Sequence, residues 1–151
     1  MTAVTMQLCN CISVAVGVDA ELVKWSFESV DDVGQTEDRI ISQWREVSAD
    51  EKHEMLERVN DILRPIGFQT RLLVIERANS LALIFLCMTL SALMSLRDQW
   101  RTKQLRDIVE ELFTFLSHRT STVRVNRLTW PLSDYERCLE FFTFLKGKRS
   151  I

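Results

Sequence analysis

The chain predicts a single, mainly α-helical domain, and three observations carry that expectation. Its 151 residues include 4 Gly and 2 Pro, too few for the many turns of an all-β fold. Several segments place apolar residues at i, i+3, i+4 and i+7 behind recognisable caps. The stretch Ser80–Leu96, SLALIFLCMTLSALMSL, runs seventeen residues without a charge, and thirteen of them are apolar. A helix that is apolar on most sides belongs at the centre of a bundle. The expected architecture is therefore about six helices wrapped around residues 80–96. It spans 1–151, with 1–18 an apolar N-terminal arm and 147–151 a basic tail. An α+β variant, with a short strand pair between the arm and 121–129, is the alternative.

Taken in order, residues 3–18 are rich in Val, Thr, Cys and Ile with partial alternation, and read as a strand or arm. Gly17 and Asp19 break the chain before Ala20–Val30, where Leu22, Val23, Phe27 and Val30 have helical spacing. Asp31–Gly34 is a loop, and Thr36 is placed to cap a helix with Ile40, Ile41 and Trp44 inside. Ser48 and Glu51 form a capping box for a helix presenting Met55, Leu56, Val59, Ile62 and Leu63, which Pro65 and Gly67 end. Thr70–Leu96 supports one long helix, entered through an extended piece at Leu72–Ile75, or else a separate helix capped by Asn79. Over Thr102–Ser117, Leu105, Ile108, Val109, Leu112, Phe113 and Leu116 give close to ideal helical spacing. Residues 80–96 and this helix are expected to pack as an antiparallel hairpin joined around Arg97–Arg101. Ser121–Trp130 alternates Val123, Val125 and a shifted Leu128, a strand whose one obvious partner is the N-terminal arm. Ser133 and Glu136 make a second capping box for a last helix, Ser133–Lys146, closed by Gly147 and Lys148-Arg149.

Composition is that of a globular domain, with 26% charged and 46% hydrophobic residues. Charge is uneven: residues 19–64 carry thirteen acids and six bases, residues 65–151 eight acids and thirteen bases. The bases of Arg97–Arg127 are interleaved with Asp98, Asp107, Glu110 and Glu111, so nucleic acid is not the expected partner. A membrane span over 80–96 would be roughly 26 Å long against a hydrocarbon core of ~30 Å, with Glu76, Arg77, Arg97 and Asp98 close by. A buried helix is favoured over membrane insertion, which stays as the second reading. The first eighteen residues lack the basic start of a secretory signal, so the expected compartment is the cytosol or nucleus.

Chemistry is scarce. Cys9 and Cys11 form a Cys-Asn-Cys pair without a second ligand pair, and the histidines are His53 and His118, so no metal site is expected. His53 begins His-Glu-Met-Leu-Glu, which lacks the second histidine of a zinc-protease helix and reads as a solvated side chain. No glycine-rich phosphate loop or nucleophile–base set is present, so neither a cofactor nor catalytic residues are expected. The last helix is the exception to an ordinary pattern. Tyr135, Cys138, Leu139, Phe142 and Leu145 complete a core face, and Phe141 and Phe144 fall on the opposite side. An all-round apolar helix is either sandwiched or docked to a partner.

The expected function is a non-enzymatic protein–protein interaction module: an adaptor, an inhibitor or a subunit of a complex. Its interface residues would be Trp130, Phe141 and Phe144, with a partner protein or a second copy of the chain as ligand. Phe141→Asp or Phe144→Asp would then abolish association and spare the fold. The layout of amphipathic helices around a central apolar hairpin is similar in plan to Bcl-2-like regulators, without the Asn-Trp-Gly-Arg groove motif of their cellular members.

Overall fold

The computed structural model describes residues 11–20, 33–117 and 123–149. Residues 1–10, most of the helix expected over 20–30, His118 and Ser121 lie outside them. The fold is α+β, and the expected all-α bundle is overturned. In chain order the elements are β1 (Cys11–Ala20), α1 (Val33–Ala49), α2 (Leu56–Leu63) with a 3-10 turn Arg64–Ile66, β2 (Thr70–Arg77), β3 (Leu81–Cys87), α3 (Leu90–Arg101), α4 (Gln104–Ser117), β4 (Val123–Thr129) and α5 (Leu132–Arg149). The strands form one sheet in the order β2-β3-β1-β4, every neighbouring pair antiparallel. β1 runs through helices to β2, and β3 runs through helices to β4, each pair straddling one intervening strand. These are two interleaved βαβ units.

Ser80–Leu96 is not a helix. Leu81–Cys87 is β3, and Thr89, extended at φ −135° and ψ 161°, ends it. The Thr89 hydroxyl then accepts the Ala92 N–H at 3.1 Å and starts α3. With the central helix goes the helical-bundle plan similar to Bcl-2-like regulators, and no helix among the described residues is long and apolar enough to cross a membrane. The physical reason lies in the two faces of β3. Leu81, Leu83, Phe85 and Cys87 are buried beneath the helices, and Ala82, Ile84 and Leu86 occupy the other face. With both parities apolar, the two-residue period disappears, and a short apolar run no longer distinguishes strand from buried helix.

The strand pair between the arm and 121–129 is present, as β1 and β4 within this larger sheet. The pairing shifts register between Gly17 and Val18, which absorbs the shifted Leu128. Gly17 leaves room there for the Asn126 side chain: a Cβ would lie 2.3 Å from Asn126 Oδ1, which would have to turn away. The core fills one face of the sheet. Ile12, Val14, Val16 and Val18 of β1 join Leu81, Leu83 and Phe85 of β3 against Ile40, Trp44 and Val47 of α1 and the full apolar set of α4. Each such large side chain contributes ~1.5–3 kcal/mol when buried. The expected face of Thr102–Ser117 is buried at all six positions, Leu105, Ile108, Val109, Leu112, Phe113 and Leu116.

Several boundaries move for local reasons. Ser48 closes a helix rather than opening one: its hydroxyl donates to Trp44 O at 2.6 Å, the back-bonding that competes with a capping role. The following turn is organised by Asp50, which accepts the Lys52 N–H at 2.9 Å, and by His53, whose Nδ1 accepts the Met55 N–H at 3.2 Å. His53 is therefore half-buried and engaged rather than simply solvated. Thr36 sits inside α1, fully buried. α5 begins at Leu132, with Pro131 O accepting the Asp134 and Tyr135 N–H groups, and it runs through Gly147.

Sheet edges are treated differently. Along β4, α4 supplies a ladder of side chains one turn apart. Arg106 donates to Asn126 O at 2.9 Å, Glu110 accepts the Val125 N–H at 2.9 Å, and Thr114 accepts the Val123 N–H at 3.0 Å. Where β4 ends, α5 takes over beside β1. Asp134 accepts the Ser13 N–H at 3.3 Å, and the Cys138 thiol donates to Cys11 O at 3.6 Å.

Candidate interaction surface

The face of the sheet away from the core is built by register. Opposite Ile84 stand Ser13 on β1 and Val74 on β2; opposite Leu86 stand Cys11 and Arg71; opposite Ala82 stand Ala15 and Glu76. The next residue of this parity is Met88, whose N–H donates to Gln69 O at 2.7 Å and closes that end of the hairpin. The result is an apolar strip, Val74–Ile84–Leu86–Met88, with Arg71, Glu76 and Ser13 beside it. Val74 is 42% and Met88 44% exposed, and Ile84 and Leu86 are half-buried. Phe68, in the turn that leads into β2, is 94% exposed. An exposed aromatic at that level has no packing role among the described residues.

At the β1 end the same face deepens into a cleft of about 560 Å³. Ser13 and Ala15 line it together with Thr129, Ser133, Asp134 and Arg137. Its charged groups are already engaged: Asp134 pairs with Arg137 and accepts the Ser13 N–H. Among the described residues no group of three His, Cys, Asp or Glu side chains is placed to hold a metal ion. Burial pushes the Cys87 thiol up to about 11, which makes it a poor nucleophile near neutrality.

Of the three residues expected at an interface, the structure separates one from the others. Trp130 is 1% exposed. It stacks edge-on with Trp100 at 6.3 Å and Tyr135 at 5.7 Å. The Arg97 guanidinium sits among these three rings, 4.2 Å from the Trp100 centroid, 5.0 Å from Trp130 and 4.9 Å from Tyr135. It also donates to Trp130 O at 2.9 Å, and burial lowers its pKa from the usual arginine value. Phe141 packs partly buried against the core, edge-on to Phe142 at 5.3 Å. Phe144 alone stands out, 54% exposed, on a helix face shared with Glu136, Leu139, Glu140 and Thr143.

The apolar strip on the sheet was missed because its residues were assigned to helices. One signal pointed to it. Phe68 follows the helix-ending Gly67 and belongs to no apolar period, the mark of a side chain displayed rather than packed.

Comparison of the chain with protein-family models, with curated proteins and with solved structures finds no match.

Proposed function

We propose that this domain is a non-enzymatic protein-interaction module that docks a partner protein on the open face of its sheet. The observation that carries the reading is the apolar strip Val74–Ile84–Leu86–Met88, half-exposed on a sheet whose other face already supplies the core. A contiguous apolar surface with a polar border fits a protein interface better than a catalytic cleft. The cleft beside it holds an ion pair committed to structure, which supports the same side of the choice. A reducing compartment, cytosol or nucleus, fits a chain whose described cysteines are thiols.

The test is affinity capture from cells with the intact chain, compared with Leu86→Asp and Met88→Asp. A stoichiometric partner lost in both variants, with unchanged melting temperature, is the expected result. Retention of every captured protein by both variants sinks the reading. Phe144→Asp, on the far surface of α5, serves as the control and keeps the partner.

A further inference from the structure

We infer that the outer edge of β2 is a self-complementary strand, and that a second copy of this chain pairs with it antiparallel about a two-fold axis between Leu73 and Val74, joining two four-stranded sheets into one. This goes beyond the sheet-face reading and does not depend on it.

The two edges of the sheet differ. The main chain of β4 is bonded by Arg106, Glu110 and Thr114 of α4. On β2, the last of the described strands at the other side, Trp44 Nε1 to Leu73 O at 3.2 Å is the single bond between a described side chain and the outer main chain. Unpaired edge groups are a template for another strand.

The phase of the hairpin says which groups point outward. Met88 N–H donates to Gln69 O and Ala78 N–H donates to Ser80 O, so Gln69 and Ala78 face β3. Alternation along an antiparallel strand then turns Thr70 and Leu72 outward from one end, and Arg77 and Ile75 outward from the other. The register shift between Leu72 and Val74 reconciles the two phases. These four positions are symmetric about the midpoint of Leu73 and Val74. A two-fold axis there makes Leu72 and Ile75 of the second copy a hydrogen-bonded pair, and likewise Thr70 and Arg77.

The side chains agree with that axis. It sets Arg71 opposite Glu76 of the second copy, twice, at non-hydrogen-bonded positions where cross-strand side chains come closest. Both are exposed, and neither has an ion-pair partner among the described residues. The axis also sets Leu73 opposite Val74, two large apolar residues left 39% and 42% exposed at the centre of the edge. A bulge ordinarily blunts an edge. On the symmetry axis both copies carry the same bend, so the twist matches.

The test is sedimentation velocity on the full chain over a concentration series, with Arg71→Glu, Glu76→Arg and the double swap. A wild-type dimer is expected. Each single reversal places like charges opposite each other at two symmetric positions and weakens dimerisation by about tenfold. The double swap restores the pairs and the affinity. Circular dichroism and melting temperature stay unchanged in all three, because both side chains are exposed and unpaired. A chain monomeric throughout the series overturns the inference, and so does a dimer indifferent to both single reversals. Met88→Asp, which abolishes partner capture in the sheet-face reading and stands opposite Gln69 rather than Arg71, leaves this dimer intact, so failure of one proposal is separable from failure of the other.

Discussion

Arg97 shows how one side chain holds several elements. Its guanidinium stacks among Trp100, Trp130 and Tyr135 and donates to Trp130 O, tying α3 to the β4–α5 junction. Arg97→Ala leaves that carbonyl without its donor and opens the stack. The expected loss is about 2 kcal/mol by chemical denaturation, summing a charged hydrogen bond and the ring contacts. Arg97→Lys recovers little, because an ammonium lacks the planar face that stacks. Cys87 gives a pH-dependent counterpart. Burial raises its thiol pKa from 9.0 to about 11. The folded state then holds a proton that the unfolded chain releases, so the contribution is whole below about pH 9 and is lost as pH rises toward 11. Melting temperature followed across that window falls in the wild type, and Cys87→Ala removes the part of the fall that this thiol causes. Phe141 and Phe144, neighbours on one helix, separate in the same way. Phe144→Asp leaves stability within ~0.5 kcal/mol, whereas Phe141→Asp costs more, because its ring packs against the core.

α4 does two jobs with two stripes. One stripe is the buried apolar face, and the other is Arg106, Glu110 and Thr114 laid against β4. Glu110→Gln keeps an oxygen acceptor for the Val125 N–H and is nearly neutral. Glu110→Lys removes it, and hydrogen exchange at Val125 accelerates with a local loss of ~1–2 kcal/mol in protection. The first stripe was legible in the sequence, since every apolar position on it obeys one period and every one is buried. The second was not, because a polar stripe against a strand edge looks like a solvated face. The hairpin of β2 and β3 was illegible for a related reason. Ile84 and Leu86 are apolar on a face that most sheets leave polar, and their presence erased the alternation that identifies a strand. The feature that hid β3 is thus the same feature that nominates its surface. The helical spacing and start of α5 are legible, but its apolar surplus predicts an outward-facing surface. Trp130 and most of Phe141 turn inward once α3 and β1 are available to receive them, and no pattern along one helix announces that.

At the scale of the whole molecule, β1 lies between β3 and β4. Its two neighbours come from segments about forty residues apart, 81–87 and 123–129, which is why the sequence pattern offered the β1–β4 pair but not the sheet that joins it to β2 and β3. A chain cut after Arg101 retains β1, β2 and β3 but loses α4, half the helical layer over the core. It is expected to show no cooperative thermal transition by far-UV circular dichroism. Sharp melting of that fragment would contradict the single core. The position of β1 also sets a timetable. Its residues pair with partners roughly seventy to a hundred and ten positions later in the chain. Such high contact order slows folding, since distant loops must close before any reward is gained. On a ribosome, β1 emerges first and waits, apolar and unpaired, until β3 and then β4 have been made. The interval before β4 arrives is when this strand is open to errant pairing, and a chaperone that shields it would act then.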